Sequence, residues 1–279
     1  MLSYRHGYHA GSFADVLKHS VFAYLVAHAA RRWSPLYVLD THAGAGMYDL
    51  TSAYAHKTGE FHAGIEKVIG APDPVPVLVE SYLELVRELN PDGNLRWYPG
   101  SPEIAAHFLR PIDRLELIEL HGTDHAELVE QFRGIARAQV WREDGLARMR
   151  SCLPPPERRG IVLVDPSYEI KSDFEDVVTA MAAAHNRFRS GTFLLWYPVI
   201  HRERSQALID AMAASGIKRQ YRIELAMHGD GAVRGMTAAG LILINPPWTV
   251  PDLAPPALAW LKERLGAVGP CEAGWLVEA

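Results

Sequence analysis

Cysteine is scarce in this chain of 279 residues, since only Cys152 and Cys271 occur. Two cysteines are too few for a disulfide framework or a thiolate metal site. The sequence also lacks an apolar run long enough to span a membrane, and its first residues lack the apolar core of a signal peptide. These absences predict a cytoplasmic protein with no membrane partner and no metal.

An excess of basic residues is missing as well. Lys and Arg number 28 against 33 Asp and Glu, which gives a formal net charge of −5. A protein that grips nucleic acid over most of its surface is usually strongly basic, so any such contact must use local patches. Solvated arginines explain each patch equally well. The candidate patches are Arg158-Arg159, Arg187 with Arg189, Arg202 with Arg204, and Lys218-Arg219 with Arg222.

Apolar runs alternate with amphipathic helical stretches, which is the pattern of a parallel sheet with crossover helices. The first helix is predicted at about 14–32. Seven strands are predicted, at 36–40, 115–119, 138–142, 161–165, 192–196, 218–225 and 241–245. The first two strands are about 75 residues apart, far more than a crossover needs. A small helical insertion is therefore predicted at about 51–99, within a single domain of 1–279.

The most informative stretch is Asp165-Pro166-Ser167-Tyr168, which follows the apolar run 161–164. Ligands of open α/β sheets bind just beyond the carboxyl ends of the strands. The tetrapeptide places a carboxylate, a rigid turn and an aromatic face at one such end. These groups can hold a flat ring that bears an amine.

A glycine-rich turn, 39–46, follows the first strand, and its glycines let the backbone approach a ligand closely. A dinucleotide site would need a third glycine where Asp49 stands, so that interpretation is weak. Acidic residues before the glycines and at later strand ends instead fit a nucleoside with a cationic amino-acid tail, such as S-adenosylmethionine. Glu119 would accept hydrogen bonds from the ribose hydroxyls and Asp144 from the adenine amine.

Seven segments together resemble one protein family. They are Tyr4-Arg5-His6, His9-Ala10-Gly11, Ala14-Asp15-Val16-Leu17-Lys18-His19, Asp40-Thr41-His42-Ala43-Gly44-Ala45-Gly46, Gly100-Ser101-Pro102, Trp196-Tyr197-Pro198 and Arg234-Gly235-Met236-Thr237. These segments resemble the bacterial 23S ribosomal RNA adenine-N6 methyltransferases of the RlmJ type, and the resemblance covers nearly the whole chain. The resemblance implies an α/β, Rossmann-like, seven-stranded S-adenosylmethionine-dependent methyltransferase with a helical insertion. It further implies methylation of the exocyclic N6 of one adenine in 23S rRNA, on free RNA before ribosome assembly.

The resemblance also implies site residues, carried over position by position. The cofactor site would consist of His19, His42, Ser101, Glu119, Asp144, Gly145 and Asp165. The catalytic residues would be Asp165, Pro166 and Tyr168, and the substrate would meet Tyr4, His6, Lys18 and Tyr168. Plain structural roles stay open for three of them: Ser101 and Asp144 can cap helices, and His19 can be a packed histidine.

One residue departs from the family pattern. The family tetrapeptide is Asp-Pro-Pro-Tyr, and Ser167 stands here at its third position. A second proline would lock the turn and remove a backbone donor, so serine leaves the loop freer and adds an N–H and a hydroxyl. The carboxylate, the first proline and the tyrosine remain.

Two other motifs compete with this site. Asn245-Pro246-Pro247-Trp248 follows the apolar run 241–244 and matches the general amino-methyltransferase pattern more literally. Asp165 is preferred because it ends the fourth strand, beside the glycine turn, whereas Asn245 is expected near the sheet edge. His121 and His125 have the spacing of metal ligands on a helix, but a helix start capped by Thr123 or Asp124 is the preferred interpretation.

Two alternative functions remain from sequence alone. The same chemistry could act on DNA, because only the resemblance distinguishes RNA from DNA. The chain could instead be a non-catalytic nucleic-acid-binding protein in which Ser167 marks a decayed site, although the presence of Asp165, Tyr168, Glu119 and Asp144 together argues against decay. The leading hypothesis has 23S rRNA as the partner of a monomeric enzyme.

Overall fold

The computed structural model describes residues 5–72, 74–170 and 172–279. Its strands are β1 (Tyr37–Asp40), β2 (Met47–Asp49), β3 (Trp97–Pro99), β4 (Arg114–Ile118), β5 (Ala138–Trp141), β6 (Gly160–Val164), β7 (Thr192–Val199), β8 (Gln220–Ala226), β9 (Ala238–Ile244) and β10 (Cys271–Val277). In the described residues, eight of these strands form one sheet in the order β10-β8-β9-β7-β6-β1-β4-β5, and β2 pairs with β3 separately.

Helices cover both faces of the sheet. They are α1 (Phe13–Ala30), α2 (Ala53–Thr58), α3 (Glu60–Ala63), α4 (Ile65–Ile69), α5 (Val77–Leu89), α6 (Ser101–Phe108), α7 (Gly122–Gln131), α8 (Gly145–Cys152), α9 (Asp173–Arg187), α10 (Arg202–Ala214) and α11 (Val250–Leu265). One core cluster contains residues of α1, α5 and α11, and a second contains residues of α9 and α10. No helix among the described residues is both long and apolar enough to cross a bilayer.

The direction of the strands determines which residues meet at one edge. β1, β4, β5, β6 and β7 run parallel. β9 lies between β7 and β8 and is antiparallel to both. The carboxyl ends of β1, β4 and β6 therefore meet at one edge of the sheet, and β9 ends at the opposite edge.

All seven predicted strands are present, but the expected count of seven for the sheet is wrong. The eighth strand is β10, an edge strand that pairs antiparallel with β8. None of the residues of β10 is fully buried. A strand in this position needs no continuous apolar run, and its sequence has none that would have predicted it. The short β2 and β3 were also not predicted. The first helix, predicted at 14–32, spans Phe13–Ala30 and begins after Ser12, whose hydroxyl accepts from the Asp15 N–H.

Helices α2 to α5 lie between β2 and β3, in the stretch expected to form a helical insertion. Its expected limits of 51–99 and the single-domain organisation stay predictions. The insertion covers the outer side of α1, because α5 packs along α1 while the sheet lies on the other side. Every residue of α1 from Ala14 to Val26 is consequently buried.

We predict that Gly64→Ala destabilises the protein, because Gly64 joins the insertion to the start of α1. The Ile65 N–H donates to the Gly11 carbonyl at 2.8 Å. A Cβ at Gly64 would lie 2.0 Å from that carbonyl oxygen, and backbone cannot yield as a flexible side chain would. Urea unfolding should show a loss of about 1–3 kcal/mol or more.

The matched control is Gly70→Ala. No heavy atom lies within 4 Å of a Cβ built there, and its φ of −89° suits any residue. Its free energy of unfolding should stay within about 0.5 kcal/mol of the parent value. Equal stability of the two variants would contradict the described contact between the insertion and α1.

Candidate active site

A cavity of about 340 Å³ opens at the carboxyl edge of β1, β4 and β6. Most of the predicted site residues line it. They are His6, Lys18, His19, His42, Ser101, Glu119, Asp144, Gly145, Asp165 and Pro166. Of the other two, Tyr168 is not part of the lining, and Tyr4 lies outside the described residues. The roles assigned to these residues stay predictions, whereas their shared location is a property of the fold.

A buried ion cluster forms one wall of the cavity. The Lys18 amine lies 3.0 Å from Asp15 Oδ1 and 2.5 Å from Asp165 Oδ2. Burial disfavours the ammonium form, but the two carboxylates outweigh this and raise the pKa of Lys18. Burial would likewise raise the pKa of Asp15, yet the charges of His6 and Lys18 hold it well below its usual range. The cluster therefore joins α1 to the end of β6 through the Lys18 amine.

Glu119 holds the glycine-rich turn. Its Oε2 accepts the Gly44 N–H at 2.8 Å, and its Oε1 accepts the His121 N–H at 2.6 Å. Burial raises the pKa of this carboxyl. Each carboxylate oxygen has a second lone pair, so these backbone bonds leave acceptor capacity for a ligand in the cavity.

Asp144 takes the structural role that the sequence had left open. It is the N-cap of α8, and its Oδ1 accepts the Ala147 N–H at 2.8 Å. The next residue, Gly145, lies directly against the glycine turn, since a Cβ there would be 1.9 Å from the Thr41 carbonyl oxygen. Asp144 lines the cavity as well, so capping and ligand contact are compatible.

The capping role suggested for Ser101 is wrong. The N-cap of α6 is Gly100, and Ser101 is the first helical residue, with Pro102 behind it. The Gly100 N–H donates to the Gly46 carbonyl at 2.7 Å. The helix begins at Ser101, one residue earlier than it would if Ser101 were the N-cap. Ser101 is buried and faces the cavity instead.

Two predicted histidines are neutral. His19 is buried, its Nδ1 lies 2.8 Å from the Tyr98 hydroxyl, and burial lowers its pKa to about 3. It is thus a packed histidine that also lines the cavity. Burial lowers the pKa of His42 to about 4, and its Nδ1 lies 2.8 Å from Thr41 Oγ1.

Tyr168 anchors the loop after β6 from inside the protein. Its hydroxyl donates to the Trp196 carbonyl at 2.7 Å, and its ring packs on Phe174 with centroids 4.5 Å apart. The residue is 9% exposed and has a positive φ of 54°. In the described part of the chain, neither the N–H nor the hydroxyl of Ser167 makes a hydrogen bond, so a proline at that position would remove no donor in use.

The competing motif lies at the other end of the molecule. Because β9 is antiparallel to β7, Asn245 follows β9 at the amino edge of the parallel strands. Its Nδ2 donates to the carbonyls of Arg189 and Gly191. Asn245 was expected near an outermost strand of the sheet, and this is wrong, since β9 lies between β7 and β8. The motif is nevertheless remote from the cavity.

The helix after Glu119 also differs from its prediction. The N-cap of α7 is His121, without a side-chain cap, rather than Thr123 or Asp124. Asp124 is instead buried and paired with Arg5 at 2.8 Å. Among the described residues, no group of three or more His, Cys, Asp or Glu side chains is arranged to hold a metal ion.

Sequence reasoning assigned no role to two residues that shape the cavity. Asp15 accepts from His6 Nε2 at 2.9 Å and from the Gly11 N–H at 3.0 Å, besides pairing with Lys18. Its spacing of three from Lys18 on one helix was the available signal. Tyr48 accepts from the Ala45 N–H below the glycine turn, and nothing in the sequence pattern indicated this contact.

The sheet order and the cavity define the class of the protein. The sheet is mostly parallel, and the reversed strand β9 lies between β7 and β8. Together with a cavity at the carboxyl edge, this is the architecture of Rossmann-like methyltransferases.

Comparisons with known proteins narrow the class to a family. The family described as "Ribosomal RNA large subunit methyltransferase D, RlmJ" matches residues 34–277. "Ribosomal RNA large subunit methyltransferase J" of Escherichia coli (strain K12) is 43% identical over 99% of this chain and 99% of its own. The Haemophilus influenzae protein of the same name is 40% identical over 100% of this chain and 98% of its own. The chain therefore belongs to the RlmJ family of ribosomal RNA large subunit methyltransferases.

A solved structure agrees with the fold. The crystal structure of protein LPL1258 from Legionella pneumophila superimposes with a TM-score of 0.87 at 34% identity, covering 95% of this chain and 98% of that one.

We predict that Asp40→Asn stabilises the free protein at high pH. Asp40 is fully buried, and its Oδ1 accepts the His42 N–H at 3.2 Å. Burial raises its pKa from 3.8 to about 7. The folded state therefore binds this proton more tightly than the unfolded state, so the stability of the parent protein falls as the pH rises from about 4 to 7.

Asparagine does not ionise, so the variant escapes this loss. Its stability relative to the parent should rise by about 3 kcal/mol between pH 4.5 and pH 8 in urea unfolding, at about 1.4 kcal/mol per unit of pKa shift. The exposed Asp210→Asn should show no such rise. A difference between Asp40→Asn and the parent that is constant with pH would contradict the raised pKa.

Proposed function

We propose that the protein transfers the methyl group of S-adenosylmethionine to the exocyclic N6 of an adenine in 23S rRNA, on free RNA. The observation that carries this proposal is the setting of Asp165. Its Oδ2 is held by Lys18, whereas Oδ1 makes no hydrogen bond within the described residues, and Pro166 lies beside it in the cavity lining. Family membership supports the reaction and the substrate.

The donor set fits S-adenosylmethionine, which carries a sulfonium and an ammonium charge. Of the described lining residues, five are carboxylates and one is a lysine; the carboxylates are Glu119, Asp124, Asp144, Asp165 and Asp173. The free lone pairs of Glu119 would accept from ribose hydroxyls and those of Asp144 from the adenine amine. The cofactor supplies an activated methyl group. His19, His42, Ser101 and Gly145 would form the remaining walls.

Asp165 and Pro166 would prepare the acceptor nitrogen. The adenine amine is a poor nucleophile because its lone pair is delocalised into the ring. Accepting its two N–H bonds at the Asp165 carboxylate and the Pro166 carbonyl favours a pyramidal nitrogen and aims the lone pair at the methyl group. Such positioning can supply about 7–11 kcal/mol in well-oriented cases.

The ion pair with Lys18 suits this role. A carboxylate whose Oδ2 is paired with an ammonium still accepts a hydrogen bond through its Oδ1. Asp165 would therefore orient the amine, and the proton would leave to solvent during or after transfer. Lys18 would act by positioning Asp165, and His6 by holding Asp15 on the other side of the cluster.

Base stacking by Tyr168 stays a prediction. The target base would leave its helix at a cost of a few kcal/mol, and stacking would return about 1–3 kcal/mol. Since the ring packs on Phe174, contact with the base would use its small exposed part. Tyr4 is proposed to meet the substrate as well. We further expect a monomer in the cytoplasm, where its RNA substrate is made.

We predict that Asp165→Asn lowers methyl transfer by at least 100-fold, equivalent to about 2.7 kcal/mol of transition-state stabilisation. The assay uses labelled S-adenosylmethionine with unmodified full-length 23S rRNA, and the product is identified as N6-methyladenosine by mass spectrometry. Asn245→Ala is the control and should keep its activity per folded molecule. Activity lost in Asn245→Ala and kept in Asp165→Asn would place the reaction at the other motif.

The same assay separates the alternatives. Duplex DNA should accept no label, so preferential labelling of DNA would replace the proposed substrate. Binding of RNA without any transfer, in a protein that binds the cofactor, would support a non-catalytic role.

We predict that Asp144→Asn separates capping from cofactor binding. Asparagine caps helices about as well as aspartate, so the free energy of unfolding should change by less than about 0.5 kcal/mol. The amide presents a donor where the cofactor's adenine amine needs an acceptor, so calorimetry should show at least tenfold weaker binding of S-adenosylmethionine. Unchanged affinity would reduce Asp144 to a helix cap.

A further inference from the structure

The edge of the sheet opposite the cavity is lined by the loops that precede parallel strands. The segments that lead into β1, β6, β7 and β8 each contribute exposed basic side chains, and one of these, Arg187, is the last residue of α9. Together these form the basic edge, which consists of Arg31, Arg32, Arg158, Arg187, Arg189 and Lys218. In the described chain none of the six pairs with a carboxylate, whereas Arg114, Arg148 and Arg222 elsewhere do.

Two tryptophans stand at the same edge with almost no protein around them. Trp33 directly follows Arg32 and is 96% exposed, and Trp248 follows β9 and is 78% exposed. Tryptophan is enriched at interfaces, where a partner covers its large ring. Unpaired bases of RNA stack on such rings, and arginines beside them bind the phosphates.

The distribution of charge explains why a polyanion would use this edge. The cavity lining is acidic, with five carboxylates and one lysine among the described residues. The chain as a whole has a net charge of −5. Beside the basic edge, burial lowers the pKa of Arg159, and the charges of Arg32 and Arg110 lower it further.

The dimensions suit an extended segment of RNA. From β8 to β1 the edge crosses four strand spacings, about 19 Å at 4.8 Å each. The cavity lies at the other end of β6, whose five residues span about 17 Å. RNA held in the cavity must therefore extend about 17 Å along the protein before it meets the basic edge.

We propose that the basic edge binds a second segment of the RNA substrate, remote from the target adenine, with phosphates on its arginines and unpaired bases on Trp33 and Trp248. This inference rests on the proposed function, since it assumes an RNA substrate. It gives the enzyme a way to prefer a large RNA over a minimal one, although the rim of its cavity is acidic.

The test is the affinity of charge-reversed variants for unmodified 23S rRNA over a series of salt concentrations. Arg32→Glu with Arg189→Glu should weaken filter binding at least tenfold. Loss of two phosphate contacts should reduce the slope of log affinity against log salt by about 1.4–1.8. Both side chains are exposed; if the double variant fails to fold, Arg32→Ala with Arg189→Ala should show the same change in slope.

The matched control is Arg87→Glu with Arg204→Glu, which makes the same change in net charge on α5 and α10. Its affinity should stay within threefold of the parent. Trp33→Ala with Trp248→Ala should weaken binding about fivefold while leaving the salt slope unchanged. Equal losses in the arginine variant and its control would overturn the proposal.

Two further outcomes are decisive. Equal competition by duplex DNA, together with full affinity of the tryptophan variant, would overturn the assignment to RNA. Methyl transfer by the parent protein is measured on the same transcript. If the parent transfers methyl groups and the basic-edge variant binds like its control, the inference alone fails; if the parent transfers none, the proposed function fails.

Discussion

The structure of the cavity depends on one buried amine. Lys18 lies between Asp15, on its own helix, and Asp165, at the end of the central strand β6. Removing one member of such a cluster leaves an uncompensated buried charge, which typically costs about 3–5 kcal/mol. The cluster therefore constrains where α1 sits against the sheet. It also determines the orientation of the carboxylate to which we assign the acceptor role.

The other walls of the cavity follow the same pattern, in which side chains that line the cavity also hold the backbone. Glu119 binds the glycine turn and the start of α7, and Asp144 caps α8. Tyr168 is not part of the lining, and its hydroxyl donates to the Trp196 carbonyl. Truncating Glu119 or Asp144 would remove a backbone contact together with part of the cavity lining. For that reason the conservative variant Asp144→Asn is more informative than a truncation.

Much of the fold could be predicted because its central strands are continuous apolar runs. Periodicity located β1, β6 and β9, and the long gap after β1 located the insertion. It could not locate β10, whose residues are all at least partly exposed at the sheet edge, or the reversal of β9, which depends on tertiary packing. Strand ends likewise located Glu119 and Asp165. The partners of Lys18 and the burial of Tyr168 result from contacts between residues far apart in sequence, and no local pattern encodes them.

The central claim is that this chain methylates N6 of an adenine in 23S rRNA. The most direct measurement is mass spectrometry of 23S rRNA from a strain without the gene, before and after the gene is returned. The account predicts one N6-methyladenosine that disappears with the gene, returns with the parent sequence and does not return with Asp165→Asn. An rRNA methylation pattern that is identical in all these strains would contradict it.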